Sequence, residues 1–303
     1  MKHQRGVAII IVILIVALAT SLSVYVLNQQ TLWQRQVEAS FDRGQAKRLS
    51  LAGLDWARAI LADDGRNNNV DHEGELWAKR LPAMPVEGGE ILGFIEDRQG
   101  LFNLNNLVLN GSSVPAYVAQ FQRLLNMLGL PGELALNLAD WLDSDNTPQL
   151  AGGAEDSYYL SLPRPYRCAN RPLTEIGELS LVKGFDASII KQLRPYVSVL
   201  PSPTTINVNF SPAEVLAAVI EKLPLSDARA IVLQRHNNPF KSIDEFKSRL
   251  PNGGRDISVT DLSVSSQYFW VTGKTKVGNA QITAQALLQR TSTWPRVLWQ
   301  NIQ

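Results

Sequence analysis

The densest group of chemistry-bearing side chains lies between Asp140 and Asp156. Asp140, Asp143, Asp145, Glu155 and Asp156 place five carboxylates around turn-forming segments, Asn146-Thr147-Pro148 and Gly152-Gly153. Hard cations such as calcium gather about six to eight oxygens, and this stretch offers carboxylates and backbone carbonyls at close range. It is not an EF-hand. Counted from Asp145, the oxygen ligands lack that loop's rhythm, and Leu150 stands where the glycine should be. The residues alone leave two readings open: a cation site, or solvated caps and turns. A hydrolytic carboxylate pair would use the same atoms, but the sequence gives it no recognisable substrate platform.

Other reactive groups are sparse. Cys168 is the single cysteine, so it has no internal disulfide partner and no cysteine-rich metal site to join. His3, His72 and His236 fall in a leader, a loop and an Asn-rich turn, and none sits in a nucleophile-activating pattern. The chain is therefore expected not to be an enzyme. With 29 basic and 28 acidic residues over 303 positions, the net charge of +1 gives no general attraction to nucleic acid.

The elements that must carry these residues begin with an apolar segment. Lys2 and Arg5 precede Val7 to Leu27, which contains no charged side chain and matches the roughly 20 residues needed to cross a bilayer as a helix. The basic flank keeps the N-terminus cytoplasmic and sends the remainder across the membrane, into the periplasm of a Gram-negative cell. From Asn28 to Leu61 no proline intervenes, and Trp33, Val37, Phe41, Leu51, Leu54 and Leu61 mark an amphipathic continuation. Together Val7 to Leu61 predict a helix on the order of 80 Å long, ending at Asp63-Asp64-Gly65.

Beyond it, Glu90 to Asn105 predicts two strands about the turn Asp97-Arg98-Gln99-Gly100. Phe269 to Val277, Gln281 to Arg290 and Pro295 to Asn301 predict three more, the first two joined at Gly278-Asn279. Strands from both ends can share one sheet, leaving the middle as a helical insertion. That middle repeats a unit of apolar residues, tight turn and apolar helical stripe, at Gly129-Leu130-Pro131, Gly184-Phe185-Asp186 and Pro224-Leu225-Ser226. Helix-hairpin-helix units often bind DNA backbone through hairpin amides. These turns lack two glycines bracketing an apolar residue, and Asp186 would face the phosphate. No nucleic-acid partner is expected. An exported DNA-uptake protein stands as the alternative function, with a tethered periplasmic hydrolase behind it.

Basic residues, Gly6, then an apolar run from Val7 resemble the type IV prepilin class. That resemblance implies peptidase cleavage between Gly6 and Val7 and N-methylation of Val7. Most of that class carry glutamate at the fifth mature position, where this sequence has Ile11. That departure, with Asp97 to Asn105, the acidic loop from Asp140 to Tyr159, Leu173 to Leu179 and Ile206-Asn207-Val208-Asn209, resembles the K-type minor pseudopilins of bacterial type II secretion (general secretion pathway protein K).

The resemblance implies an α+β pilin fold, with a long N-terminal helix, a small antiparallel sheet and a large inserted α-helical domain of helix-hairpin-helix-like (SAM-like) repeats. The expected divisions are leader 1–6, transmembrane helix 7–27, periplasmic continuation 28–62, sheet region 63–106 with 256–303, and insertion 107–255 in two halves, 107–205 and 206–255. It further implies a single-pass inner-membrane protein at the pseudopilus tip, assembled with I-type and J-type minor pseudopilins and touching other pseudopilins through its N-terminal helix. Calcium is implied for the insertion, with Asp143, Asp145, Glu155 and Asp156 as its carried-over ligands.

Overall fold

The computed structural model describes residues 4–80, 82–149, 152–254, 258–291 and 294–303. Met1 to His3 of the expected leader, Leu150 and the expected boundary at 255–256 lie outside them.

Helix α1 runs unbroken from Gln4 to Asn67. Its apolar first part, Val7 to Leu27, is exposed on every side, the surface a bilayer-spanning helix presents. Burial begins at Ala46 and recurs at Ser50, Leu54, Ala57 and Leu61, a three-to-four-residue stripe along one face. Of the expected apolar series, Leu54 and Leu61 lie on this buried face and Leu51 does not. Trp33, Val37 and Phe41 are exposed; the sheet takes the later stripe, whose small residues let the backbones approach. The helix also continues past Asp63-Asp64-Gly65, because Asp64 is held by Arg290 and Asn67 Nδ2 donates to Asp63 O at 2.9 Å.

In chain order the remaining elements are β1 (Met84–Val86), β2 (Gly89–Asp97), β3 (Phe102–Asn103), β4 (Val108–Leu109), β5 (Ser112–Ser113), α2 (Pro115–Met127), α3 (Leu134–Leu142), α4 (Asp156–Tyr159), α5 (Ala187–Leu193), β6 (Val197–Ser198), β7 (Ile206–Asn207), α6 (Ala213–Val219), α7 (Leu225–Asn237), α8 (Ile243–Ser248), β8 (Leu262–Ser263), β9 (Tyr268–Val277), β10 (Ala280–Gln289) and β11 (Arg296–Ile302). A five-stranded antiparallel sheet has the order β1-β2-β9-β10-β11. Strands from both ends of the chain thus share one sheet. Ile95, Phe269, Val271, Ala284, Ala286 and Leu288 face the helix stripe and form its core.

Everything between β2 and β9 is the insertion. Leu101 to Asn105 is not the second strand of a hairpin on β2. Phe102 and Asn103 pair in parallel with Val197 and Ser198, and Leu104–Leu107 is a 3-10 turn. Phe102, Leu104 and Leu107 are buried in the helical core with Phe121, Leu138 and Leu216, so the insertion's packing starts before the expected residue 107. It also extends past 255, since Leu262 belongs to the same core. Two of the three expected turns carry a left-handed residue, Gly129 at φ +71 and Gly184 at φ +85; at the third, the left-handed residue is Lys222 at φ +66, two positions before Pro224.

Both crossings into the insertion lie at the C-terminal end of α1. Asp97 pairs with Phe269 there, and Arg290 reaches Asp64. At the opposite end of the sheet, Asn279 N donates to Asp42 at 3.4 Å.

Candidate metal centre

Helix α3 positions the acidic group. Leu134, Ala135, Leu138, Ala139, Trp141 and Leu142 are all buried, so the helix is a core element and its C-terminal end is drawn inside. Asp140 and Asp143 follow it in. Asp143 is the extended C-cap, its N–H donating to Ala139 O at 2.9 Å. Asp140 accepts from Gln149 N at 3.1 Å and gathers the returning loop. A Cβ at Gly153 would lie 2.0 Å from Asp140 Oδ2, so only glycine permits that approach.

The loop re-enters at Glu155, immediately before α4. Tyr159 anchors this turn by packing edge-on against Trp141, ring centroids 5.1 Å apart. Glu155 is 1% exposed and Asp143 2%. Asp143, Asp145 and Glu155 can each present a carboxylate oxygen within 4.8 Å of the others. Asp143 Oδ1 and both Glu155 oxygens are buried without a hydrogen-bond partner. Among the described residues no lysine or arginine forms an ion pair with any of the three.

The electrostatic consequence is strong. Burial, followed among the raising influences by neighbouring carboxylates, pushes Glu155 up to about 7. Burial, then Asp145 and Asp140, pushes Asp143 up to about 6. Asp143 Oδ1 and the two Glu155 oxygens, buried without donors, converge with the exposed Asp145, whose Oδ1 accepts from Thr147 N at 2.7 Å. With no counter-charge beside them they fit a hard cation, which supplies both charge and empty coordination positions.

Asp156 does not join them. Its Oδ1 accepts from Cys168 N at 2.9 Å and its Oδ2 lies 3.9 Å from Arg167. Adjacent in sequence to Glu155, it starts a helical turn and faces the other way. The thiol of Cys168 donates to Asp140 O at 3.4 Å, and burial, with Glu155 close by, pushes it up to about 12. It is an inert structural thiol.

A second acidic group, Asp64, Asp71 and Glu75, was not apparent from sequence. Arg290 neutralises the two aspartates. Glu75 accepts from Asn68 Nδ2 at 2.5 Å, His72 N at 3.0 Å and Trp77 Nε1 at 2.8 Å. With its oxygens satisfied, this group is an ionic joint.

At the other end of the chain, Val7 and Ile11 lie exposed on α1, and Gly6 belongs to the same helix.

Two family models, both described as type II secretion system protein K, match residues 100–202 and 206–265. Type II secretion system protein K of Pseudomonas aeruginosa is 37% identical, covering 95% of this chain and 90% of its own. The chain belongs to the type II secretion system protein K family. The Klebsiella pneumoniae member is 34% identical over 96% of this chain and 94% of its own. A solved chain from the GspK-GspI-GspJ complex of enterotoxigenic Escherichia coli superposes with a TM-score of 0.77 at 29% identity, covering 88% of this chain and 99% of that one.

Proposed function

We propose that this minor pseudopilin of type II secretion closes the tip of the periplasmic pseudopilus, assembled with I-type and J-type minor pseudopilins, and that it catalyses no reaction. The carrying observation is the site of the insertion. Its two crossings, at Asp97 and Phe269, sit at the distal end of α1 beside Asp64 and Arg290. A domain held there obstructs the next subunit along the helix axis. Ile11 agrees with this position, because a terminal subunit has no neighbouring amine above it to neutralise with a buried carboxylate. The partners fit the related solved chain, which comes from a GspK-GspI-GspJ complex.

In this reading α1 is a single-pass inner-membrane anchor with its N-terminus cytoplasmic. Prepilin peptidase cuts after Gly6, Val7 becomes the N-methylated first residue, and Val7 to Leu27 pack against other pseudopilin helices. The turns at Gly129, Gly184 and Lys222 make the insertion helix-hairpin-helix-like (SAM-like), used for packing and protein contact. Calcium is the cation at Asp143, Asp145 and Glu155. Bound calcium would supply positive charge to carboxylates that otherwise repel, while Asp140 shapes the loop that delivers Glu155.

Co-purification of the full-length chain with I-type and J-type minor pseudopilins tests the assembly. A stable ternary complex is expected, and failure of the three to associate would overturn the reading. Mass spectrometry should find Val7 as the first residue; a retained Met1 would contradict processing.

A further inference from the structure

Asn170 lies beside the carboxylate cluster in a left-handed conformation, φ +46, which side chains other than glycine adopt at an energetic cost. It is fixed by two contacts. Asn170 N donates to Trp141 O at 3.0 Å, and Nδ2 donates to Asp145 O at 2.9 Å. Both acceptors belong to the segment that carries Asp143 and Asp145. The other half of its amide, Oδ1, is buried and has no hydrogen-bond partner. It is thus in the same condition as Asp143 Oδ1 and the two Glu155 oxygens. An amide oxygen buried without a donor is unfavourable unless something else satisfies it.

We propose that Asn170 supplies an uncharged oxygen to the cation held by Asp143, Asp145 and Glu155, so that the ion ties the Cys168–Asn170 strap to the end of α3. The proposal rests on the calcium reading above. An amide carbonyl suits a hard ion already surrounded by carboxylates, because it adds a ligand without adding repulsion. The neighbouring sulfur does not compete for that place. Cys168 Sγ is engaged with Asp140 O, and a thiol is a poor ligand for calcium. The donor set is therefore all oxygen, and Asn170 takes the position that Asp156, engaged with Cys168 N, does not fill.

The competing explanation is that asparagine stands at 170 only because it tolerates φ above zero. Two variants of the full-length protein in detergent separate these roles, with calcium chloride as the titrant in calorimetry. Asn170→Gly keeps the backbone conformation and removes the oxygen together with the exposed amide donor to Asp145 O. Asn170→Asp keeps an oxygen and removes the donor to Asp145 O. Asn170→Gly should weaken calcium binding about ten-fold or more, with little change in the calcium-free melting temperature, while Asn170→Asp should stay within about three-fold of the parent. Parent-like affinity in Asn170→Gly would overturn the assignment. So would an equal loss in both variants, which would credit the amide donor instead. A parent protein that takes up no calcium would overturn the calcium reading together with this one.

Discussion

Arg290 grips Asp71 with Nη2 2.6 Å from each carboxylate oxygen, while its Nη1 holds Asp64 at 2.6 Å. One cation thereby joins the end of α1, the loop that follows it and the end of β10. Asp71 also accepts from Ser266 N at 2.7 Å, on the strand of chain returning from the insertion. Removing the guanidinium leaves two carboxylates facing each other, Asp71 almost fully buried. Arg290→Met should cost about 3–5 kcal/mol in denaturant unfolding at neutral pH. Adding Asp71→Asn should recover part of that loss. Equal stability of parent and Arg290→Met would show that the joint carries no load.

The acidic loop predicts a pH dependence with a definite sign. Glu155 is raised from 4.5 to about 7 and Asp143 from 3.8 to about 6, chiefly by burial. The folded, calcium-free state therefore binds more protons than the unfolded chain between those values, and its stability falls as pH rises from about 4 through about 7. Calcium at the proposed site would bind the deprotonated acids and reverse the loss. Melting curves in calcium-containing and calcium-stripped buffer should nearly coincide near pH 5 and separate near pH 7.5, outcomes set by these shifts. A gap that is the same at both would count against the site.

Asp143 and Asp156 give a paired test of which acids hold the ion. Asp143→Ala should abolish the calcium-dependent rise in melting temperature. Asp156→Ala removes the acceptor for Cys168 N and should cost about 1 kcal/mol while leaving the calcium effect in place. The reverse pattern would restore Asp156 as a ligand.

This pair also marks where sequence stops being informative. Five carboxylates between Asp140 and Asp156 are visible as a group, yet Glu155 and Asp156 point apart because α4 begins between them. Side-chain direction at a helix start depends on the packing of Tyr159 against Trp141, a contact the linear pattern does not encode. Asn170 arrives from farther along the chain and has no motif around it. The long helix, by contrast, is set by local composition and was legible almost to its end. The reach beyond Gly65 depends on Arg290, and the pairing of Phe102 with Val197 joins segments on opposite sides of the first half of the insertion. Both are nonlocal.

The two apolar stripes of α1 should separate stability from assembly. Leu61 is fully buried against the sheet, so Leu61→Ala should cost about 2–5 kcal/mol. Trp33 and Phe41 are exposed, and Trp33→Ala with Phe41→Ala should leave the melting temperature of the isolated protein unchanged. Recovery with the other minor pseudopilins should drop if that stripe packs against their helices. Undiminished recovery would confine the helix contacts to the membrane segment.

The hairpin turns make opposite demands on two residues with similar backbones. Gly184 sits at φ +85, and a Cβ there would meet Leu134 Cδ2 at 2.7 Å, at the start of the helix that carries the acidic site. Gly184→Ala should therefore combine backbone strain with displacement of α3, costing about 1–3 kcal/mol and weakening calcium binding as well. Lys222 occupies the same left-handed region at φ +66 with a side chain already in place. Lys222→Gly relieves that strain, and against the greater chain entropy of glycine it should come out neutral to about 1 kcal/mol stabilising. Urea unfolding of the two variants reads both signs. Destabilisation by Lys222→Gly comparable to that of Gly184→Ala would mean that the Lys222 side chain, rather than its backbone, holds the turn.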